Sequence, residues 1–211
     1  AQLVQETFGI QVSEVGFFHC AWADWEGESC LLARTGYTGE DGFEAFVPAG
    51  SAKTVWQALM GNGESLGVAP AGLGARDSLR TEACLPLYGH EIDAHTNPYA
   101  AKLGWAVKPK SKDFLGKSTI LEQKEAGLER KLVGFEMLDK GIARQGYRLF
   151  SFDNQEVGRV TSGVPSPSLG KNVGMAYIGA EMAIEGTEFW VEIRNRRSKA
   201  QVVKTPFIQK R

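Results

Sequence analysis

Arg34-Thr-Gly-Tyr-Thr-Gly-Glu-Asp-Gly-Phe-Glu44 and Gly72-Leu-Gly-Ala-Arg-Asp-Ser-Leu-Arg-Thr-Glu82 are the two stretches that organise this chain. The first packs three glycines, a tyrosine and three acids into a tight turn. Glu28–Arg34 before it and Gly42–Pro48 after it read as strands, so the pair is expected to form a hairpin. Alternation along the second strand puts Phe43, Ala45 and Val47 on one face and Glu44 and Phe46 on the other. The second stretch reads as a helix over roughly 71–84, stopped by Pro86. A carboxylate on a strand beside aromatics can accept two parallel N–H bonds from a flat polar ring, and an arginine on a helix can hold a carboxylate or carbonyl.

Between these blocks, Ser51 is expected to cap a helix whose apolar stripe is Val55, Trp56, Leu59 and Met60, ended by Gly61 and Gly63. Arg76 and Arg80 share a helix face. Asp77 and Glu82 are expected to pair with them at the surface.

From Lys131 onward the pattern becomes alternation. Lys131–Met137, Tyr147–Phe152, Glu156–Thr161, Gly174–Ile178, Glu188–Arg194 and Lys199–Phe207 read as six short strands, with turns at Asp153-Asn154 and 195–198. The fold class that follows is α+β: an α+β portion over 1–110, then an antiparallel β-barrel or sandwich over 111–211. Thr161–Val173, rich in Ser, Pro and Gly, reads as a long surface or lid loop.

Composition limits the function. The chain has 211 residues, 43% hydrophobic, with 24 basic and 25 acidic side chains. That balance gives no global attraction to nucleic acid or anionic membrane. The basic Arg194–Lys199 cluster lacks the aromatic platforms a nucleic-acid surface needs. No apolar run is long enough to cross a bilayer, and the first ten residues do not read as a signal peptide. Three cysteines without a Cys-x-x-Cys pair imply free thiols and a reducing compartment, with Cys84 as a core residue. His90 and His95 are five apart, not the four that a helical zinc motif requires, so no metal is expected. The chain begins at Ala1, which implies processing or a piece of something longer.

Arg34–Glu44, Gly72–Asp93, Thr161–Met175 and Val202–Phe207, in that order, resemble the T-protein (aminomethyltransferase) family of the glycine cleavage system. The resemblance implies two folate-binding α+β subdomains and a C-terminal barrel, with this chain opening well inside the second subdomain. It implies transfer of an aminomethyl group from the lipoyl arm of H-protein to tetrahydrofolate, giving methylenetetrahydrofolate and ammonia. Carried across, Glu44 would grip the pterin, Tyr37 would line its pocket, Arg76 would contact folate, and Arg211 would reach it from the barrel side. Tetrahydrofolate is thus the expected cosubstrate, and lipoylated H-protein and a missing N-terminal segment are the expected partners. The family's catalytic aspartate lies in that segment, and Asp41, Asp77 and Asp93 read as turn and capping residues, so no catalytic residue is expected here. The isolated chain is expected to keep its barrel, bind folate weakly or not at all, and lack turnover. The resemblance places it in a bacterial cytoplasm, or in a mitochondrial matrix if eukaryotic. The alternative is a partner-docking module or one half of a split folate-dependent enzyme.

Overall fold

The computed structural model describes residues 1–208. The chain forms two units, the first Ala1–Arg76 and the second from Asp77 on.

The first unit is a small helix-on-sheet layer. Helices α1 (Gln2–Phe8) and α2 (Ala52–Asn62) accompany an antiparallel sheet of β1 (Cys20–Trp25), β2 (Glu28–Ala33) and β3 (Glu44–Phe46), in the order β1-β2-β3. Period-two alternation sends Leu32 to one face, where it joins Phe8 and Val55 in a core flanked by Trp25, Val47 and Leu59. Phe8 and Trp25 meet edge to face at 5.7 Å, and the Trp25 indole donates to Thr54 Oγ1 at 3.2 Å. The expected hairpin is β2–β3, with Leu31 opposite Phe46 and Ala33 opposite Glu44.

Two expectations for α2 fail. Ser51 makes no side-chain capping bond; it closes a 3-10 turn, Ala49–Ser51, that leads into the helix. Trp56 is 54% exposed, because the face that meets the sheet is narrower than the apolar stripe. Strand β1 and helix α1 were not read from the sequence. Strand β1 holds only Cys-Ala-Trp-Ala-Asp-Trp, two of whose inward-facing residues are small alanines.

The second unit contains most of α3 (Leu73–Glu82), α4 (Lys117–Glu125) and a closed six-stranded barrel. Its strands are β4 (Arg130–Met137), β5 (Arg148–Phe150), β6 (Glu156–Ser166), β7 (Lys171–Gly179), β8 (Glu188–Ile193) and β9 (Arg196–Val203), arranged β4-β7-β6-β5-β8-β9. Val133, Phe135 and Met137 of β4 point inward with Leu149, Ile178, Phe189 and Val202. Phe135 and Phe189 meet edge to face at 5.7 Å. Closure removes the open edges that a flat sheet would expose.

The Ser/Pro/Gly stretch is not a long loop. Strand β6 continues to Ser166, and β7 begins at Lys171 after a four-residue turn. Pro165 is tolerated late in the strand, near the turn. The basic cluster is likewise shorter as a turn than expected. Arg194 and Asn195 alone turn the β8–β9 hairpin, with φ of 48° and 64°, and Arg196 already pairs with Ile193. Two consecutive positive φ values are what a tight two-residue hairpin requires.

Candidate functional site

In the first unit, the Arg34–Glu44 turn is held by its first residue. Arg34 forms a paired bond to Asp41, Nε to Oδ1 and Nη2 to Oδ2, each 2.9 Å, and its Nη1 donates to the Val15 carbonyl at 2.9 Å. Its guanidinium lies 4.9 Å from the Phe17 ring and 5.7 Å from that of Phe43. The Arg34 bond holds the Asp41 carboxyl below its ordinary pKa, and Asp41 raises that of Arg34. Asp41 is therefore a staple of this turn rather than a free acid. Sequence reading missed the pair because six residues of glycine-containing turn separate the partners.

Glu44 stands on β3 with its carboxylate accepting from the Thr35 hydroxyl through Oε2. Strand register sets what lies beside Glu44. Trp22, Leu31 and Phe46 form one cross-strand row, and Cys20, Ala33 and Glu44 form the next, on the face opposite Leu32. Trp22 is 71% and Phe46 58% exposed. Adjacent rows on one face are two residues apart, roughly 7 Å, a span that a bicyclic ring bridges. The result is an apolar shelf with a carboxylate at one end.

Arg76 comes from α3, and its guanidinium stacks on the Tyr37 ring at 4.3 Å. Arginine over a tyrosine face is attracted by the ring quadrupole and keeps its in-plane donors available. The structure thus joins Tyr37 to Arg76, and seats Glu44 on the Trp22 sheet face. Arg211 lies outside the described residues.

The second unit carries a buried polar cluster that sequence reading did not assemble. Arg80 and Glu91 are fully buried. Arg80 Nη1 donates to Glu91 Oε2 at 2.7 Å, Nη2 to Ser162 Oγ at 2.7 Å, and Nε to Asp77 Oδ1 at 2.8 Å. The Leu87 amide adds a bond to Glu91 Oε2 at 2.9 Å. Two residues along α3, Glu82 is also buried and accepts from the hydroxyls of Ser166 and Ser168. The surface pairs expected for Asp77 and Glu82 are therefore replaced. Asp77 meets an arginine that is wholly inside, and Glu82 meets serines of the β6–β7 hairpin. The hairpin serines clamp a helix; they do not line a lid.

Ser162, His90 and Glu91 stand close enough to suggest a nucleophilic triad, and the hydrogen bonds exclude it. Ser162 Oγ donates to Glu91 Oε1 at 2.6 Å while accepting from Arg80. His90 Nδ1 lies 3.1 Å from the Thr161 carbonyl and 3.3 Å from Ser162 Oγ. A carbonyl only accepts, so Nδ1 carries the proton and is no base for the serine. Thr161 is the extra residue of a β-bulge in β6, which turns the chain so that Ser162 meets Arg80. Among the described residues no three His, Cys, Asp or Glu side chains gather as a metal site requires.

An apolar cavity of about 220 Å³ also lies in this unit, bordered by Cys84, Leu85, Ala101, Trp105, Leu132 and Met175. Trp105 is 73% exposed at its edge. Burial pushes the Cys84 thiol up to about 11, so it is protonated at neutral pH and is no nucleophile. Among the described residues no helix is long and apolar enough to cross a membrane.

Comparison with known proteins fits this arrangement. Residues 1–111 match the model of the GCVT N-terminal domain, and residues 130–209 match that of the glycine cleavage T-protein C-terminal barrel domain. The chain belongs to the glycine cleavage T-protein family. A T-protein relative named aminomethyltransferase, from Bdellovibrio bacteriovorus, is 53% identical over 99% of this chain and 58% of its own length. Another, from Desulforamulus reducens, is 47% identical over 99% of this chain and 57% of its own. The crystal structure of glycine cleavage system aminomethyltransferase T from Bartonella henselae is 34% identical. It superposes with a TM-score of 0.89, covering 98% of this chain and 56% of that one. The chain therefore spans a little over half the length of these T-protein relatives.

Proposed function

We propose that this chain carries the folate-holding part of an aminomethyltransferase, with Glu44, Tyr37 and Arg76 as its contacts to tetrahydrofolate. One observation carries the reading. The Glu44 carboxylate, braced by Thr35 on one oxygen, stands in the row next to an apolar row of Trp22, Leu31 and Phe46. A pterin is a flat ring with an amino group and an adjacent ring N–H along one edge. Its face would lie on the apolar row, and that edge would donate to Glu44. The Arg76 guanidinium, oriented by Tyr37, would meet a carbonyl or carboxylate of the same ligand. Arg211 would add a contact from the C-terminal tail. The donor is proposed to be the aminomethylated lipoyl arm of H-protein, with methylenetetrahydrofolate and ammonia as products. No metal enters this reading. The domains are proposed to divide as 1–110 and 111–211.

We further propose that the isolated chain binds but does not turn over. Its well-placed carboxylates are already engaged. Asp41 is tied to Arg34, Asp77 and Glu91 to Arg80, Glu82 to serines, and Asp93 to Thr96. None is left to assist proton flow at a reacting carbon. Titration of the chain with tetrahydrofolate should show saturable binding weaker than about 100 μM, the range of a partial site. Incubation with aminomethylated H-protein and tetrahydrofolate should release no ammonia. Ammonia release would refute the inactive reading, and micromolar affinity would refute the weak-binding one.

The second reading is a docking module or one half of a split enzyme. The exposure of Trp22 and Phe46 favours it, because a partner's apolar surface could cover the same row. Binding of lipoylated H-protein without any folate binding would select it.

A further inference from the structure

We propose a second ligand site in the barrel unit, a groove at the start of β4 that takes a small monocarboxylate with a short apolar tail. The groove encloses about 340 Å³. Its floor is Ala100 and Leu128, and its rim includes His95, Gln123 and Arg130. Arg130 opens β4, and its strand neighbour across the ladder is Gly179, two residues from Tyr177. Such diagonal residues share a face, and here the guanidinium stacks on the Tyr177 ring at 4.7 Å. Tyr177 is buried and cannot swing away, because its hydroxyl donates to the Glu91 carbonyl at 2.8 Å. The plane of Arg130 is thereby set.

Among the described residues, the Arg130 guanidinium has this ring contact and no hydrogen-bond or ion-pair partner. The nearby acid that feels its charge, Asp93, is already taken: its Oδ1 accepts from the His95 amide at 2.9 Å and from Thr96 Oγ1 at 2.6 Å. The Gln123 side chain accepts from Asn97 at 2.6 Å, which leaves its amide N–H groups for a ligand. A fixed fork of unpaired N–H donors beside an imidazole and an amide matches one carboxylate, held by two parallel bonds. Glu129, the one acid of the lining, repels multiply charged anions and restricts the class to monoanions. The apolar floor would cover a tail of a few carbons.

The test is NMR titration of the whole chain with sodium butyrate and sodium acetate, with sodium chloride as the ionic-strength control. The chain has three histidines, so the His95 ring signal can be followed and assigned with His95→Gln. Butyrate should shift it saturably, and acetate should do so with several-fold weaker affinity. Arg130→Ala should weaken butyrate at least tenfold. Arg130→Lys, which keeps the charge but loses the fork, should weaken it by a smaller factor. Unchanged circular dichroism checks that both variants are folded. Shifts that rise linearly, that chloride reproduces, or that survive Arg130→Ala would overturn the site.

Discussion

Arg80 and Glu91 meet at 2.7 Å with both side chains wholly removed from solvent. The pair lies inside a cluster that also engages Ser162 and Asp77, so every charge has a partner. Such a cluster adds little over an apolar filling, but breaking it is costly, because the surviving charge stays buried.

Replacing Arg80 by Ala should therefore destabilise the barrel unit by about 3–5 kcal/mol. Ser162→Ala, which removes one neutral donor, should cost about 1–3 kcal/mol. Urea unfolding followed by barrel tryptophan Trp190 would measure both. A loss below about 1 kcal/mol for Arg80→Ala would show that the pair is hydrated in solution.

Alkaline pH should weaken the barrel unit. Burial pushes the Cys84 thiol up from 9.0 to about 11 and the Tyr177 phenol up from 10.0 to about 12. Both folded-state values lie above the unfolded ones, so the folded state holds its protons longer. Stability is fully present below pH 9 and is lost as pH rises toward 11 and 12, by roughly 2–3 kcal/mol for Cys84 alone. Cys84→Ala should flatten the first part of that fall in thermal melts at pH 8 and pH 10.5. An unchanged slope would assign the loss elsewhere.

Thiol reactivity should separate the cysteines. Cys20 is exposed and Cys30 buried, and Cys84 is held protonated by burial. At pH 8 a disulfide reagent should modify Cys20 first, with Cys30 and Cys84 following only as the chain opens. Peptide mass mapping after a short exposure gives the order, and early modification at Cys84 would contradict it.

Gly163 is a position where no side chain fits. A Cβ there would lie 1.7 Å from the Ala143 carbonyl oxygen, which is backbone and cannot rotate aside. Gly163→Ala should cost more than about 3 kcal/mol or prevent folding. Gly36→Ala is the control, since its Cβ meets open space.

The barrel was legible because its strands alternate cleanly. Val133, Phe135 and Met137 share the inner face that the alternation assigns. The β2–β3 hairpin was legible for the same reason, and Glu44 falls on the expected face with Phe46. What stayed hidden depends on partners distant in sequence. Ser162 and Ser166 looked like loop residues because Gly, Pro and Ser mask a strand whose hydrogen bonds come from β7 and α3. Glu82 shares a short helix with two arginines, which suggests a surface pair, yet its donors lie 84 and 86 residues away. Trp22 carried no local signal, because β1 becomes a shelf only through its register with Leu31 and Phe46.

The most direct test is a matched pair of tetrahydrofolate titrations, on the native chain and on Glu44→Gln, followed by tryptophan fluorescence. Gln keeps the shape of the side chain and removes the charge that accepts the pterin's two donors, a difference of about 1.5–3 kcal/mol. The account predicts saturable quenching in the native chain and an affinity at least tenfold weaker in Glu44→Gln, with Trp22→Phe losing most of the signal. Equal affinities in the two proteins would contradict it.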